Sequence, residues 1–207
     1  MRTDKKRSRE NLTPLMALEL LKAGNERFVN NIKTHRNLLQ QVNETATGQF
    51  PFAAILSCID SRTSAELIFD QGLGDIFSIR IAGNILNEDI LGSMEFACKM
   101  AGSKLIVVLG HTRCGAIEGA CNNIVLGNIT ALLSKIKPAI EQETETLKER
   151  NGNNPLFLQN VTRNNIFLSV EKIKERSSIL NDMENSQEIK IIGGLHDIET
   201  GQVIFYE

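Results

Sequence analysis

FAAILSCIDSR, residues 52–62, is an apolar run that ends abruptly in a thiol, a carboxylate and a guanidinium at every second position: Cys58, Asp60 and Arg62. A short run without polar alternation reads as a strand buried on both faces, the kind a helix-covered parallel sheet requires. Ile76–Ile81 and Leu105–Gly110 repeat the theme, and the segments between them, roughly Ala65–Gln71 and Ile90–Ala101, carry helical spacing. Strands alternating with helices predict an α/β fold.

The rest of the chain fits around these runs. Thr13-Pro14 is an N-cap followed by proline in the first turn, and Leu15, Leu18, Leu21 and Phe28 continue a helix to about Val29. The polar stretch from Asn30 to Gln49 reads as helix and loop, with His35 in the helix. A helical pattern from Ile129 to about Arg150 contains Pro138, which predicts a kink or restart. After the loop NGNNP, Leu156–Leu180 returns to helix, with Ile166, Val170 and Ile173 on one stripe. The tail predicts strand, turn at Glu199-Thr200-Gly201, and an antiparallel edge strand. With no linker to mark a boundary, 1–207 is expected to form one domain.

The chain has 207 residues, 42% of them hydrophobic and 23% charged, with a net charge of −2. That size supports one good core. The charge gives no sequence-independent grip on nucleic acid, and the basic RTDKKRSR near the start reads as a solvated tail. No run is long enough for a membrane span, and no apolar segment follows the basic start as in a secretory signal, so a cytoplasmic address is expected. Four cysteines (Cys58, Cys98, Cys114, Cys121) in such a chain suggest metal binding, catalysis or packing before disulfides.

Ligands collect outside the carboxyl ends of parallel strands. One strand runs into Cys58-Ile-Asp60-Ser-Arg62, another into Gly110-His111-Thr-Arg-Cys114-Gly115. Cys58, His111 and Cys114 there compose a Cys₂His set, known from catalytic zinc sites that leave the fourth position free. Asp60 is then a group that aims an activated water, and Arg62 one that keeps Asp60 ionised and fixed. Taken singly, the residues also admit plainer readings: Cys58 as packing, Asp60–Arg62 as a surface ion pair, His-x-x-Cys as coincidence. Cys98 and Cys121 read as core, His196 has no partner pattern, and Arg113 has no assigned role.

The pair C-x-D-S-R and H-x-x-C-G with a strand–helix unit between resembles the β-class carbonic anhydrases, most specifically from Gln49 to Cys121. The resemblance implies four parallel strands plus one antiparallel edge strand, flanked by helices. It implies a homodimer or multiple of dimers, with the helical arm of residues 1–48 packing on the partner. The implied reaction is reversible hydration of carbon dioxide to bicarbonate through hydroxide on one zinc per chain. Cys58, His111 and Cys114 match the zinc ligands, and Asp60 and Arg62 the catalytic dyad. Gln49 matches a substrate-binding glutamine, Phe77, Ala82 and Phe96 an apolar pocket completed by the partner, and Gly115 the glycine beside the last ligand.

One subtype of the family closes its zinc with the aspartate under control of a tryptophan, an arginine and a tyrosine. Here Arg80 matches the arginine, but Ile55 stands at the tryptophan position and the single tyrosine is Tyr206, so the resemblance is to the open, plant-type subtype. Ile81 and Thr63-Ser64 depart from the more usual asparagine and Val-Pro. Rival readings are a hydrolase of carbonyl sulfide or carbon disulfide on the same scaffold, and a non-catalytic zinc-stabilised module.

Overall fold

A computed structural model describes residues 11–207; the basic stretch at residues 2–9 lies outside them. Helix α1 (Pro14–Val29) begins where Thr13 accepts the Met16 amide at 3.2 Å, and α2 is Leu38–Thr45. Strand β1 (Ala53–Ser57), the single turn α3 (Ala65–Ile68) and β2 (Ile76–Arg80) follow. Helix α4 (Glu88–Glu95) runs on through a π-helical turn at Phe96–Met100 into β3 (Leu105–His111). Then come α5 (Gly115–Cys121), α6 (Gly127–Leu133), α7 (Lys137–Gln142), α8 (Pro155–Arg176) and α9 (Ser178–Asn185). Strands β4 (Lys190–His196) and β5 (Val203–Tyr206) close the chain.

The sheet order is β2-β1-β3-β4-β5, parallel except for β5 against β4, and the described residues form one α/β domain. β1 and β3 are central and buried throughout, as their unbroken apolar runs predict. Among the described residues β2 pairs with β1 alone, and of its residues Ile76 alone is buried. On one face, Ala54, Leu56, Ile106, Val108 and Ile191 pack under α4, α8 and α9. On the other, Ala53, Ile55, Leu105, Val107 and Leu109 meet Leu18 and Leu21 of α1 and Ile68 of α3. The α8 layer lies close because Gly110 and Gly193 lack side chains: a Cβ on either would come within 2.6 Å of Ile166.

Several expected boundaries shift. Leu15, expected to continue the buried stripe of α1, is 60% exposed. His35 lies in the loop before α2 rather than in a helix. The segment Ala65–Gln71 is helical only to Ile68, because Asp70 takes a left-handed φ of 46°. The pattern from Ile129 restarts at Lys137, with Pro138 in the first turn, but ends at Gln142 rather than near Arg150. There the backbone turns so that the buried Glu143 carboxylate can accept the Thr146 amide and hydroxyl at 2.9 Å each, Asn160 at 3.1 Å, and Arg150. Leu156–Leu180 is likewise divided, since the Ser177 hydroxyl caps α9 by accepting the Leu180 amide at 3.2 Å.

A second buried carboxylate ties the N-terminal segment to the sheet. Asp70 accepts Arg27 Nε at 2.6 Å and the Thr34 amide and hydroxyl at 3.1 and 2.9 Å, while Arg36 grips both its carboxylate and its carbonyl. Burial would raise this carboxyl; the hydrogen bonds from Arg36, Arg27 and Thr34 outweigh it and hold the group well below the usual carboxylate range. Its stabilising contribution is therefore complete above the unfolded value of about 3.9 and is lost as pH falls below it. Asp70→Asn is expected to cost about 2–4 kcal/mol at pH 7. In denaturation curves across pH, that gap should persist down to about pH 4 and shrink below it.

Candidate metal centre

In β1–β3 pairing, Ser57 lies beside Leu109, so Cys58 leaves the sheet level with Gly110, one residue before His111. A turn through Thr112 and Arg113 then brings Cys114 to the N-cap position of α5. Arg113 takes a left-handed φ of 54°, and its exposed side chain pairs with Glu199. Cys58, His111 and Cys114 are 4%, 1% and 4% exposed, and their donor atoms all lie within 4.8 Å of one another. Ile85, Ile117, Leu133, Ile136, Phe157 and Val161 pack with the two cysteines as a third apolar cluster.

The donor set fits zinc on three observations. The two sulfurs are 3.9 Å apart; thiolates held at 2.3 Å around a tetrahedral ion sit about 3.8 Å apart. The Thr112 carbonyl lies 2.9 Å from His111 Nδ1, and a carbonyl only accepts, so Nδ1 carries the proton and Nε2 the lone pair. That Nε2 is buried and has no protein partner. The hydrogen bond with Cys114 lowers the Cys58 thiol against its burial, while that bond and burial push the Cys114 thiol up. One negative charge thus forms readily; the second needs a cation between the sulfurs. The Gly83 amide points at Cys58 Sγ from 3.4 Å.

Asp60 is held in a two-pronged grip. Arg62 donates Nε to Oδ1 at 2.9 Å and an outer nitrogen to Oδ2 at 2.7 Å, and its backbone amide meets Oδ1 at 2.9 Å. These hydrogen bonds, the side-chain ones foremost, hold the Asp60 carboxyl well below the usual carboxylate range despite partial burial.

The residues expected to bind substrate are dispersed within the chain. Gly115 is the first residue of α5, where a Cβ would meet nothing within 4 Å. Ala82 begins the turn that delivers the Gly83 amide to Cys58. Phe77 and Phe96, with ring centroids 6.3 Å apart, line an open hollow of about 730 Å³ on the outer edge of the sheet. Gln49 is exposed and precedes β1, at the opposite end from Cys58.

Three residues named in the sequence, but not placed at the site by it, are neighbours of the centre. Arg80 and Thr63 reach the backbone around Asp60. His196 lies directly beside His111 in the β3–β4 register, 3% exposed, and burial lowers it to about 4. Counting register from paired strand ends is the signal that finds His196.

An α/β sheet carrying a Cys₂His cluster at its carboxyl edge, beside an arginine-gripped aspartate, defines a metal-dependent hydrolytic or hydration enzyme class. The family model for carbonic anhydrase matches residues 53–203. Carbonic anhydrase 2 of Mycobacterium tuberculosis is 33% identical over 197 residues, covering 94% of this chain and 93% of its own. In fold, the chain is similar to the β-carbonic anhydrase CafA of Aspergillus fumigatus, with a TM-score of 0.73 at 23% identity over 82% of this chain and 81% of that one. It is also similar to a tetrameric β-carbonic anhydrase of Sordaria macrospora, with a TM-score of 0.67 at 20% identity over 80% and 89%. The chain belongs to the β-class carbonic anhydrases, zinc lyases that interconvert carbon dioxide and bicarbonate.

His111→Ala or Cys114→Ser should lower zinc affinity by more than about 100-fold, since each removes one of the three converging donors. Metal analysis after dialysis is expected to return one zinc per chain for the wild type and almost none for either variant.

Proposed function

We propose that Cys58, His111 and Cys114 hold the zinc and that Asp60 and Arg62 are the catalytic dyad for carbon dioxide hydration. The convergence of the three donors next to the Arg62-bound carboxylate carries this reading. Zinc bound there supplies a Lewis acid that lets a water ionise near neutral pH. Asp60, ionised and acceptor-only, takes a hydrogen bond from the attacking oxygen and turns its lone pair toward the substrate carbon. Arg62 keeps that carboxylate charged and engages both of its oxygens, which supports the open subtype. Asp60 does not belong to the converging donor group, a second support.

Carbon dioxide is linear and carries no net dipole, so its site needs an apolar wall. In the proposed assembly Phe77, Ala82 and Phe96 supply that wall, Gln49 supplies an amide, and the open space beside Gly115 admits the substrate. The assembly is a homodimer or multiple of dimers in which one copy's apolar edge covers the other's metal centre. Phe96 is 54% exposed beside the free edge of β2. On α1, Leu15, Met16 and Leu20 are exposed, and α2 exposes Leu38, Leu39 and Val42 while burying nothing. Apolar area on this scale supports burial against a second copy. The arm that carries it is residues 1–48 of a single domain, 1–207. A cytoplasmic setting is supported by four free thiols, and no described helix is long and apolar enough to cross a membrane.

Arg62→Ala is expected to reduce stopped-flow carbon dioxide hydration by about 100-fold or more while zinc content is retained. Unchanged turnover would remove Arg62 from the proposed dyad, zinc retention without hydration by the wild type would indicate a zinc-stabilised module, and sulfide release from carbonyl sulfide without hydration would indicate the other hydrolase. Phe96→Glu should both shift sedimentation toward monomer and depress hydration, because the proposed wall and interface share that ring.

A further inference from the structure

The loop that carries Asp60 is held by its backbone as well as by Arg62. Its two carbonyls flanking Ile59 point inward to the same pair of side chains. Arg80, at the end of β2, donates Nε to the Cys58 carbonyl at 3.0 Å and an outer nitrogen to the Asp60 carbonyl at 2.6 Å. The Thr63 hydroxyl lies 3.2 Å from the Cys58 carbonyl and 2.9 Å from the Asp60 carbonyl. Thr63 is 1% exposed, and its amide meets the same Asp60 carbonyl at 3.0 Å. Arg62 adds a long contact, 3.5 Å, to the carbonyl of Arg113, the residue held at positive φ between the two other ligands.

We infer that Thr63 and Arg80 are positioning residues for the reaction, acting together as a clamp on the Cys58 and Asp60 carbonyls that fixes the direction of the Asp60 carboxylate relative to the metal ligands. This rests on the proposed role of Asp60. The reason lies in the backbone. Cys58 is anchored by its sulfur, and Asp60 is two residues further on. Between them the peptide planes at residues 58–60 are free to rotate unless their carbonyls are engaged. Rotation there swings the Asp60 carboxylate even while Cys58 stays in place. A guanidinium with two donors in one plane, bridging both carbonyls, blocks that rotation. The threonine hydroxyl engages the same carbonyls from the interior. Valine, the more usual residue at this position in the family, fills the same space but donates nothing, so the Thr63 hydroxyl is a hold that this chain adds to the arginine's.

Arg80 also has a different task here from the arginine it matches in the triad-regulated subtype. Its Nε and one outer nitrogen are committed to main-chain oxygens, and Ile55 is packed in the apolar core. The clamp is fixed by the fold rather than by a bound anion.

The test uses Thr63→Val, Thr63→Ser and Arg80→Gln in the zinc-loaded enzyme. Each is assayed for kcat and KM of carbon dioxide hydration, zinc per chain, Tm, and the visible band of the cobalt-substituted protein. Thr63→Val is expected to lower kcat about tenfold with KM, zinc content and Tm close to wild type, and Thr63→Ser to restore it. Arg80→Gln should lower kcat further and alter the cobalt band, which reports ligand geometry independently of turnover. Wild-type kcat in Thr63→Val would overturn the inference. So would a loss of activity that only tracks lost zinc or lost Tm, or one that serine fails to restore. A wild-type enzyme without hydration activity would instead overturn the proposed reaction.

Discussion

The parallel pairing of β1 with β3, with Ser57 beside Leu109, is the constraint on which the metal centre depends. It lets two segments distant in sequence leave the sheet at the same height, so that sulfurs from Cys58 and Cys114 meet at 3.9 Å. Side chains alternate along a strand, so a slip of one residue would turn every buried side chain of β1 to the opposite face. Ala54 and Leu56 would exchange layers with Ala53 and Ile55, and Cys58 would leave the sheet one residue out of level with Gly110. The chemistry of the site thus inherits its precision from apolar packing several residues upstream. No force within the loop itself needs to bring the thiols together.

Two buried carboxylates are each surrounded by hydrogen-bond donors. Asp70 and Glu143 each take two or more hydrogen bonds besides those from arginine, and each ends a helical stretch that sequence pattern alone would prolong. The two thiols of the metal centre are the exception, since burial and mutual repulsion oppose a second negative charge there. A buried pair of that kind is unfavourable by itself and favourable around a dication. Among the described residues, Arg62 and Arg80 are spent on a carboxylate and on carbonyls, and Arg113 pairs with Glu199. This allocation leaves the positive charge to be supplied from outside.

Much of this was legible in the residues, because strands buried on both faces announce themselves and their carboxyl ends are where ligands gather. FAAILS and LIVVLG located β1 and β3, and the polar residues that follow located Cys58, Asp60, Arg62, His111 and Cys114. Less legible was anything set by tertiary contact. The helix ends at Ile68 and Gln142 follow from carboxylates whose arginine partners lie up to 43 residues away, as Arg27 does from Asp70. The exposed Leu15 looked like core because spacing shows which residues share a helix face and not whether another surface covers it. Thr63 read as a departure from pattern, and only the carbonyls it faces give it a task.

The division of the site follows from the substrate's chemistry. The proposed ligands and dyad need short, directional contacts, and one chain provides these at strand ends, where geometry is set by the sheet. An apolar substrate needs a wall that excludes water, and the proposed wall, Phe77 and Phe96, lies in the same chain on the outer edge of the sheet. Arg62 remains 52% exposed within the single chain, so water competes with its hold on Asp60. Covering that surface with an apolar edge of a second copy would do two things at once. It would bring the wall to the metal centre, and by removing water it would strengthen the Asp60–Arg62 attraction that keeps the carboxylate aimed. Assembly and catalytic geometry are in that case the same physical event, which is why so much apolar surface can remain on α1, α2 and the β2 edge without being a fault of the fold.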